Sequence, residues 1–302
     1  MSAIDTRPLP FQYQFLSGAI AGISEILVMY PLDVVKTRIQ LQVTGATGPN
    51  AYTSMVDCFS KIIRNEGFNT LYRGITAPIL MEAPKRATKF AANDLWGTFL
   101  KDTFGSPVMT QPLAIGAGFL AGVTEAFIIT PFELIKIRLQ DKSSKGKYSG
   151  MNDAVRKVIK SEGISTLYSG FESTLFRQSF WNVGYFGVIF QVKSFLPNAE
   201  TKGSQIRNDL IAGSIGGFCG TALNTPFDVV KTRIQSIPKI ENVVPKYNWA
   251  FTSILTVARE EGASALYKGF LPKVLRLGPG GGIMLVVFTT CSDFFKGIHY
   301  GD

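Results

Sequence analysis

The sequence predicts an all-α membrane protein in which six tilted transmembrane helices form three pseudo-symmetric repeats, each with one short additional helix. Two sequence motifs recur three times, in the same order, along the 302 residues. Charged residues make up only 18% of the chain, whereas a soluble domain carries about 25%. A long apolar, glycine-rich stretch precedes the first motif in every copy. The chain is therefore interpreted as three similar membrane units rather than as soluble domains.

The two motifs define the repeats. The first motif reads PLDVVKTRIQ, PFELIKIRLQ and PFDVVKTRIQ, and its copies begin at Pro31, Pro131 and Pro226. The second motif reads NEGFNTLYRG, SEGISTLYSG and EEGASALYKG. Because self-similarity at a fixed period indicates repeated structural units, we predict three repeats that together make one domain, over residues 1–104, 105–200 and 201–302.

Each repeat contains three predicted helical segments. The apolar stretch continues into the first motif, and together they are long enough for one membrane span. An amphipathic segment of the kind that lies on a membrane surface follows a polar loop; these segments cover residues 55–66, 151–162 and 250–261. A second apolar stretch follows the second motif and supplies the other span. Two spans in each of three repeats give six.

Several protein classes are excluded by residue types that the sequence does not supply. The three cysteines form no CxxC pair, and the single histidine, His299, lies near the C-terminus. Neither a zinc site nor histidine-based catalysis is therefore expected. The sequence also contains no GxGxxG or P-loop pattern. We predict no enzyme activity, no metal and no cofactor; the opening MSAIDTRPLPFQ resembles neither a signal nor a transit peptide, so no cleaved presequence is expected.

The first motif carries the chemistry that all three repeats share. Its proline bends a helix, because proline removes a backbone donor and clashes one turn back. Its acid and its first base are three residues apart, which places them on nearby parts of one helix face. Around a threefold pseudo-axis, each acid would reach the base of another repeat and close one end of a central cavity. Exposed ion pairs are weak, so substrate binding could open such a gate.

With its threefold Pro-X-acid-X-X-base signature, the sequence resembles the mitochondrial carrier family over nearly the whole chain. The resemblance implies short helices on the matrix side, both termini toward the intermembrane space, and alternating access to one central site in the mitochondrial inner membrane. It also implies a matrix-side ring that pairs Asp33 with Lys136, Glu133 with Lys231, and Asp228 with Lys36. In the family's position for a glutamine that braces this ring stand Gln40, Gln140 and Gln235.

The opposite, cytoplasmic end matches the family less well. There the resemblance leads us to expect an aromatic-acid-X-X-base pattern on the second helix of each repeat. The sequence retains only Asp94 and Lys193 as fragments of it. We therefore expect no strong cytoplasmic ring of ion pairs.

The substrate site is predicted from positions seven residues after the last glycine of each second motif. These positions hold Met81, Arg177 and Arg276, which the resemblance makes substrate contacts. An arginine at membrane depth is a functional candidate, and neither arginine has an obvious acid beside it in sequence, so we expect an anion site. The segment EAPKRATKF adds further candidates, with a possible pair between the first and third of them: Glu82, Lys85, Arg86 and Lys89.

Two intramembrane acids, Glu25 and Glu125, lie six residues before the first two motif prolines. Such carboxylates face a cavity or a partner, and either a structural ion pair or a role in substrate or proton binding would explain them. The third repeat has Gly220 at this position.

The pair Arg177-Gln178 resembles the contact pair of carriers for keto acids, in which the amide bonds a keto oxygen. The combination of EAPKRATKF with Glu25 and Glu125 resembles the branch of the family that exchanges 2-oxodicarboxylates such as 2-oxoadipate and 2-oxoglutarate. A carrier for citrate or other di- and tricarboxylates, and a non-transporting membrane receptor or scaffold, remain alternatives. The net charge of +9 would attract anionic substrates and anionic lipid headgroups, including cardiolipin; we expect a monomer that binds no nucleic acid.

Overall fold

The computed structural model describes residues 9–45, 51–105, 108, 110–144, 146–197, 202–240 and 243–300. Across these residues every regular element is helical, which agrees with the predicted all-α class. The long helices are α1 (Phe11–Leu41), α3 (Thr76–Phe104), α4 (Gln111–Gln140), α6 (Phe171–Phe195), α7 (Lys202–Ser236) and α9 (Phe270–Tyr300). The short helices are α2 (Met55–Glu66), α5 (Met151–Glu162) and α8 (Ala250–Glu261).

All six long helices are long enough to cross a bilayer. The shortest, α6, has 25 residues and is roughly 37 Å long at 1.5 Å per residue, compared with a hydrocarbon core of about 30 Å. Three stretches also qualify by hydropathy, namely Phe11–Leu41, Gly116–Gln140 and Ala263–Tyr300. Helices α3, α6 and α7 are more polar because they carry charged side chains toward other helices, as described below.

The helices form a closed ring in which neighbouring repeats pack side by side. Helix α1 packs mainly on α9, α3 on α4, and α6 on α7. Helices α1, α4 and α7 also contact one another where they carry the proline motifs. Each motif proline lies inside a continuous helix. The ring therefore narrows at one end, which we call the proline-motif end.

The short helices pack against the same end. In the first repeat, Cys58 and Ile62 of α2 are fully buried against Tyr30 and Val34 of α1. Equivalent clusters join α5 to α4 and α8 to α7. The glycines of the second motif make the turns between these helices possible. Gly67 and its two counterparts have φ between 83° and 88°, a left-handed region that favours glycine.

A close crossing of α6 and α7 explains why the third repeat has glycine where the others have glutamate. A Cβ atom on Gly184 of α6 would lie 2.7 Å from the Cα of Gly220 in α7. A Cβ atom on Gly220 would lie 2.9 Å from the carbonyl oxygen of Trp181. A side chain at position 220 would therefore force the two backbones apart.

Candidate substrate site and ion-pair ring

Three ion pairs join the proline motifs of different repeats. They connect α1 with α7, α1 with α4, and α4 with α7, so that every pair of motif helices is cross-linked. The N–O distances are 2.6 Å for Lys36–Asp228, 2.7 Å for Lys136–Asp33 and 2.5 Å for Lys231–Glu133. These are the pairings that the family resemblance implied. We call these six residues the ion-pair ring; it closes the proline-motif end of the bundle.

The glutamines at the brace position differ in what they contact. Gln40 Nε2 donates to Asp228 Oδ2 at 2.9 Å, and Gln40 Oε1 accepts a bond from the Thr232 hydroxyl at 2.9 Å. Gln40 thus links one ring pair to α7. Neither of the other two glutamines donates to a ring carboxylate within the described residues.

The side-chain amides of those two glutamines form only some of the hydrogen bonds available to them in the described residues. Gln140 Oε1 accepts from the Thr37 hydroxyl at 2.7 Å, and Gln235 Nε2 donates to the Ser169 carbonyl at 3.2 Å. Gln235 Oε1 is buried without a partner in the described part of the chain. The second motif copy has Ile137 where the others have threonine, so it supplies no hydroxyl there. Of the three glutamines at the brace position, Gln40 is therefore the one that contacts a ring carboxylate in the described part of the chain.

A second set of ion pairs lies within the repeats and was missed in the sequence. In each repeat the arginine of the first motif pairs with the glutamate of the second motif, as Arg38–Glu66, Arg138–Glu162 and Arg233–Glu261. Both partners of every pair are nearly fully buried. The signal was present, since the two motifs recur in phase. Although burial opposes it, hydrogen bonds from Arg233 and the Thr44 N–H lower the pKa of Glu261 to about 2.

Arg276, one of the predicted substrate contacts, is held by two acids. Its Nε and Nη2 donate to Glu25 Oε1 at 3.2 and 2.7 Å, and its Nη1 donates to Asp33 Oδ1 at 2.5 Å. No acid lies beside this arginine in the sequence, and both of its acid partners come from α1, the helix packed on α9. Glu25 thus forms an ion pair with a neighbouring helix, one of the two alternatives for it. Arg276 also contacts the ion-pair ring through Asp33.

Arg177 is held more loosely. Its Nη2 lies 3.4 Å from Glu133 Oε1, and its Nε lies 3.9 Å from Asp228 Oδ1. That Nε is buried and has no hydrogen-bond acceptor among the described residues. The adjacent Gln178 approaches α4, where a Cβ atom on Gly122 would lie 3.9 Å from its Oε1. Arg177 therefore retains a donor that a ligand carboxylate could use.

The basic segment of α3 packs on α1. Arg86 Nε donates to Glu82 Oε1 at 2.7 Å, which is the pair expected from the sequence. Both side chains pack on α1, where a Cβ atom on Gly18 would lie 3.1 Å from Arg86 Nη1. Lys85 is half-buried and has no ion pair within the described residues. The side chain of Lys89 lies outside the described residues.

Two other predictions concern residues with few contacts. Glu125 is half-buried and, among the residues that the structure describes, forms no ion pair. At the opposite end of the bundle Asp94 is exposed, and the side chain of Lys193 lies outside the described residues. Asp293 and Lys296 of α9 have the acid–base spacing that the sequence reading did not identify in the last helix.

The charges around the ring and the arginines are unbalanced. Among the residues that the structure describes, contacts within 4 Å connect six cations to four carboxylates. The cations are Lys36, Lys136, Arg177, Lys231, Lys273 and Arg276, and the acids are Glu25, Asp33, Glu133 and Asp228. The excess of two positive charges suits a doubly charged anion. The described residues hold no group of three His, Cys, Asp or Glu side chains that could bind a metal.

Comparisons with known proteins agree with this geometry. A family model described as mitochondrial carrier protein matches residues 7–104, 109–200 and 202–299. The chain is 63% identical to mitochondrial citrate transporter D of Aspergillus niger over 296 residues, which cover 97% of each chain. It is 57% identical to mitochondrial 2-oxodicarboxylate carrier 2 of Saccharomyces cerevisiae over 98% of each chain. It is 42% identical to the mitochondrial 2-oxodicarboxylate carrier of Rattus norvegicus, over 91% of this chain and 92% of the relative.

The repeated family match, the full-length relatives and the three inter-repeat ion pairs lead to one conclusion. This chain belongs to the mitochondrial carrier family.

Proposed function

We propose that this protein exchanges 2-oxodicarboxylates, such as 2-oxoadipate and 2-oxoglutarate, across the mitochondrial inner membrane. Membership of the carrier family confirms the prediction of an inner-membrane transporter rather than an enzyme. The observation that carries the choice of substrate is the excess of two positive charges around Arg177 and Arg276. Several relatives named 2-oxodicarboxylate carriers, at 40 to 57% identity, support the same choice.

The proposed mechanism couples the substrate site to the ring. Arg276 donates to Asp33, and Arg177 lies beside Glu133, so each arginine contacts a ring carboxylate. A substrate carboxylate on either arginine competes with that ring acid. Charge-assisted hydrogen bonds contribute about 1.5–3 kcal/mol each, so two substrate carboxylates supply enough to offset the separation of partly exposed ring pairs. The ring then opens toward the matrix, in alternation with the other end.

The remaining predicted contacts keep their proposed roles. We assign Gln178 as the donor to the 2-oxo oxygen, and Lys85 and Lys89 as cations on the cavity wall. We place Glu125, which has no ion-pair partner among the described residues, on the same cavity wall. Anionic lipid, including cardiolipin, is the proposed lipid partner, and the monomer is the proposed working unit.

An exchange assay tests the function. Purified protein is reconstituted into liposomes that contain 2-oxoadipate, and uptake of labelled 2-oxoglutarate is measured. We expect saturable uptake that requires internal substrate. Arg177→Ala should abolish uptake while the melting temperature of the purified protein stays within a few degrees. A folded wild-type preparation without uptake of either acid would refute the proposal and favour a receptor or scaffold.

Citrate is a second candidate because the relative at 63% identity is named a citrate transporter. Citrate carries three carboxylates, one more than the two excess positive charges of the site. Competition distinguishes the two: unlabelled 2-oxoadipate should inhibit labelled 2-oxoglutarate uptake at lower concentration than citrate. The reverse order would make this protein a citrate carrier.

A further inference from the structure

Lys273 breaks the threefold symmetry next to the substrate site. It lies four residues after Gly269, and the matching positions of the first two repeats hold Pro78 and Thr174. In α9 it precedes Arg276 by three residues, so it lies one turn nearer the ring. Its side chain is 14% exposed. A partly buried lysine that occurs in one repeat only calls for a role that the symmetric gate does not explain.

The partner that holds Lys273 also breaks the symmetry. Lys273 Nζ donates to Asn224 Oδ1 at 2.5 Å and lies 3.4 Å from the Thr225 hydroxyl. The matching position of Asn224 is Met29 in the first repeat and Ile129 in the second. Both oxygen atoms are neutral, so they fix the ammonium group in place without cancelling its charge. Asn224 is therefore a positioning residue for Lys273.

Asp228 makes its shortest contacts with residues other than Lys273. Its short contacts go to Lys36 Nζ at 2.6 Å and Gln40 Nε2 at 2.9 Å. Lys273 Nζ lies 3.4 Å and Arg177 Nε 3.9 Å from the same carboxylate, beyond the 2.7–2.9 Å of a charge-assisted hydrogen bond. Two cations on different helices thus lie near one carboxylate whose short contacts are with Lys36 and Gln40. Arg177 Nε has no hydrogen-bond acceptor in the described residues.

We propose that Lys273 and Arg177 form a two-cation subsite for one carboxylate of the substrate, while Arg276 binds the other. Lys273 thereby sets the preference for dicarboxylates over monocarboxylates. A substrate carboxylate in this subsite pairs with the two cations that now face Asp228. Occupancy of the subsite is therefore linked to the Lys36–Asp228 ring pair. This inference rests on the proposed function.

The test compares two competitors that differ in one carboxylate. Uptake of labelled 2-oxoglutarate into liposomes is inhibited with unlabelled 2-oxoglutarate or with 4-oxopentanoate, the five-carbon acid in which a methyl group replaces the carboxylate next to the oxo group. Because Gln178 beside Arg177 is assigned to the oxo oxygen, this is the carboxylate that would occupy the subsite. Lys273→Gln should weaken inhibition by 2-oxoglutarate about 10- to 100-fold, the range for a lost charge-assisted hydrogen bond. Inhibition by 4-oxopentanoate should change less than twofold. Lys273→Arg should restore selectivity to within about threefold of wild type.

Two controls keep the result specific. Lys157→Gln removes one positive charge from an exposed lysine of α5 and should leave both inhibition curves unchanged. If Lys273→Gln transports too slowly for the competition assay, thermal unfolding in detergent is measured instead. Stabilisation by 2-oxoglutarate should then be lost in Lys273→Gln, although the unliganded protein melts within a few degrees of wild type.

Other results would overturn the proposal. Equal weakening of both competitors, or failure of Lys273→Arg to restore selectivity, would assign Lys273 a structural role. An unchanged inhibition curve for 2-oxoglutarate would show that Lys273 does not bind the substrate. The wild-type arm tests the proposed function separately. If wild type exchanges citrate alone, the variants are compared with citrate against 2-oxoglutarate as competitors, and an unchanged ratio would again reject the subsite.

Discussion

The substitution Glu162→Gln tests the buried pairs that join the two motifs within each repeat. Arg138 and Glu162 are 1% and 4% exposed, and the guanidinium makes two hydrogen bonds to the carboxylate at 3.2 and 2.9 Å. Arg138 also donates to the carbonyls of Gln235 and Ile237, which belong to the next repeat. Removing the carboxylate charge leaves a buried cation uncompensated, which costs about 3–5 kcal/mol.

That cost converts into a measurable shift. At about 2 °C per kcal/mol for a chain of this size, Glu162→Gln should lower the melting temperature in detergent by roughly 6–10 °C. The surface pair Lys157–Asp153 provides a control, because Lys157→Gln should change the melting temperature by about 1 °C or less. The double variant Arg138→Met, Glu162→Met leaves no unpaired charge, but it removes the donor to the Gln235 and Ile237 carbonyls, so it should recover only part of the loss. A shift under 2 °C for Glu162→Gln would refute the reasoning.

Three further predictions use the same thermal measurement. Gly220→Ala should lower the melting temperature by the equivalent of about 1–3 kcal/mol, because its methyl group would meet the backbone of α6, whereas Gly118→Ala, with open space around it, should not; equal shifts would contradict the close crossing. Glu261 has an ordinary pKa of 4.5 that is lowered to about 2 in the folded protein, so its stabilisation is complete above pH 4.5 and declines as the pH falls toward 2. The difference in melting temperature between wild type and Glu261→Gln should shrink over that range, and a constant difference would count against the ion pair. Lys231→Gln should destabilise the protein more than Lys36→Gln, because Lys231 is 5% exposed and Lys36 is 22% exposed; the opposite order would show that burial does not rank the ring pairs.

Much of the architecture followed from repetition in the sequence. The motif at Pro31 and its two copies predicted three equivalent bent helices, and the short amphipathic segments coincide with α2, α5 and α8. The pairing of Lys36 with Asp228 and its two counterparts came from the family resemblance. These features could be predicted because each depends on local spacing or on a pattern that occurs three times.

The contacts that break the symmetry could not be predicted in the same way. Arg276 has no obvious acid beside it in sequence, yet it contacts Glu25, which lies 251 residues earlier in the chain. Lys273 showed no pattern because it occurs in one repeat only, and its partner Asn224 occupies a position that is apolar in the other two. Such pairs become visible only when α1, α7 and α9 are packed together.

The sequence by itself determined the three repeats, the positions of the ring charges and the overall excess of positive charge. The tertiary structure decided which acid each arginine contacts, that Gln40 alone braces a ring pair, and that Lys273 and Arg177 converge near Asp228. The physical reason is that three nearly identical motifs specify the same local helix, whereas the partner of a charged side chain depends on which helices pack side by side.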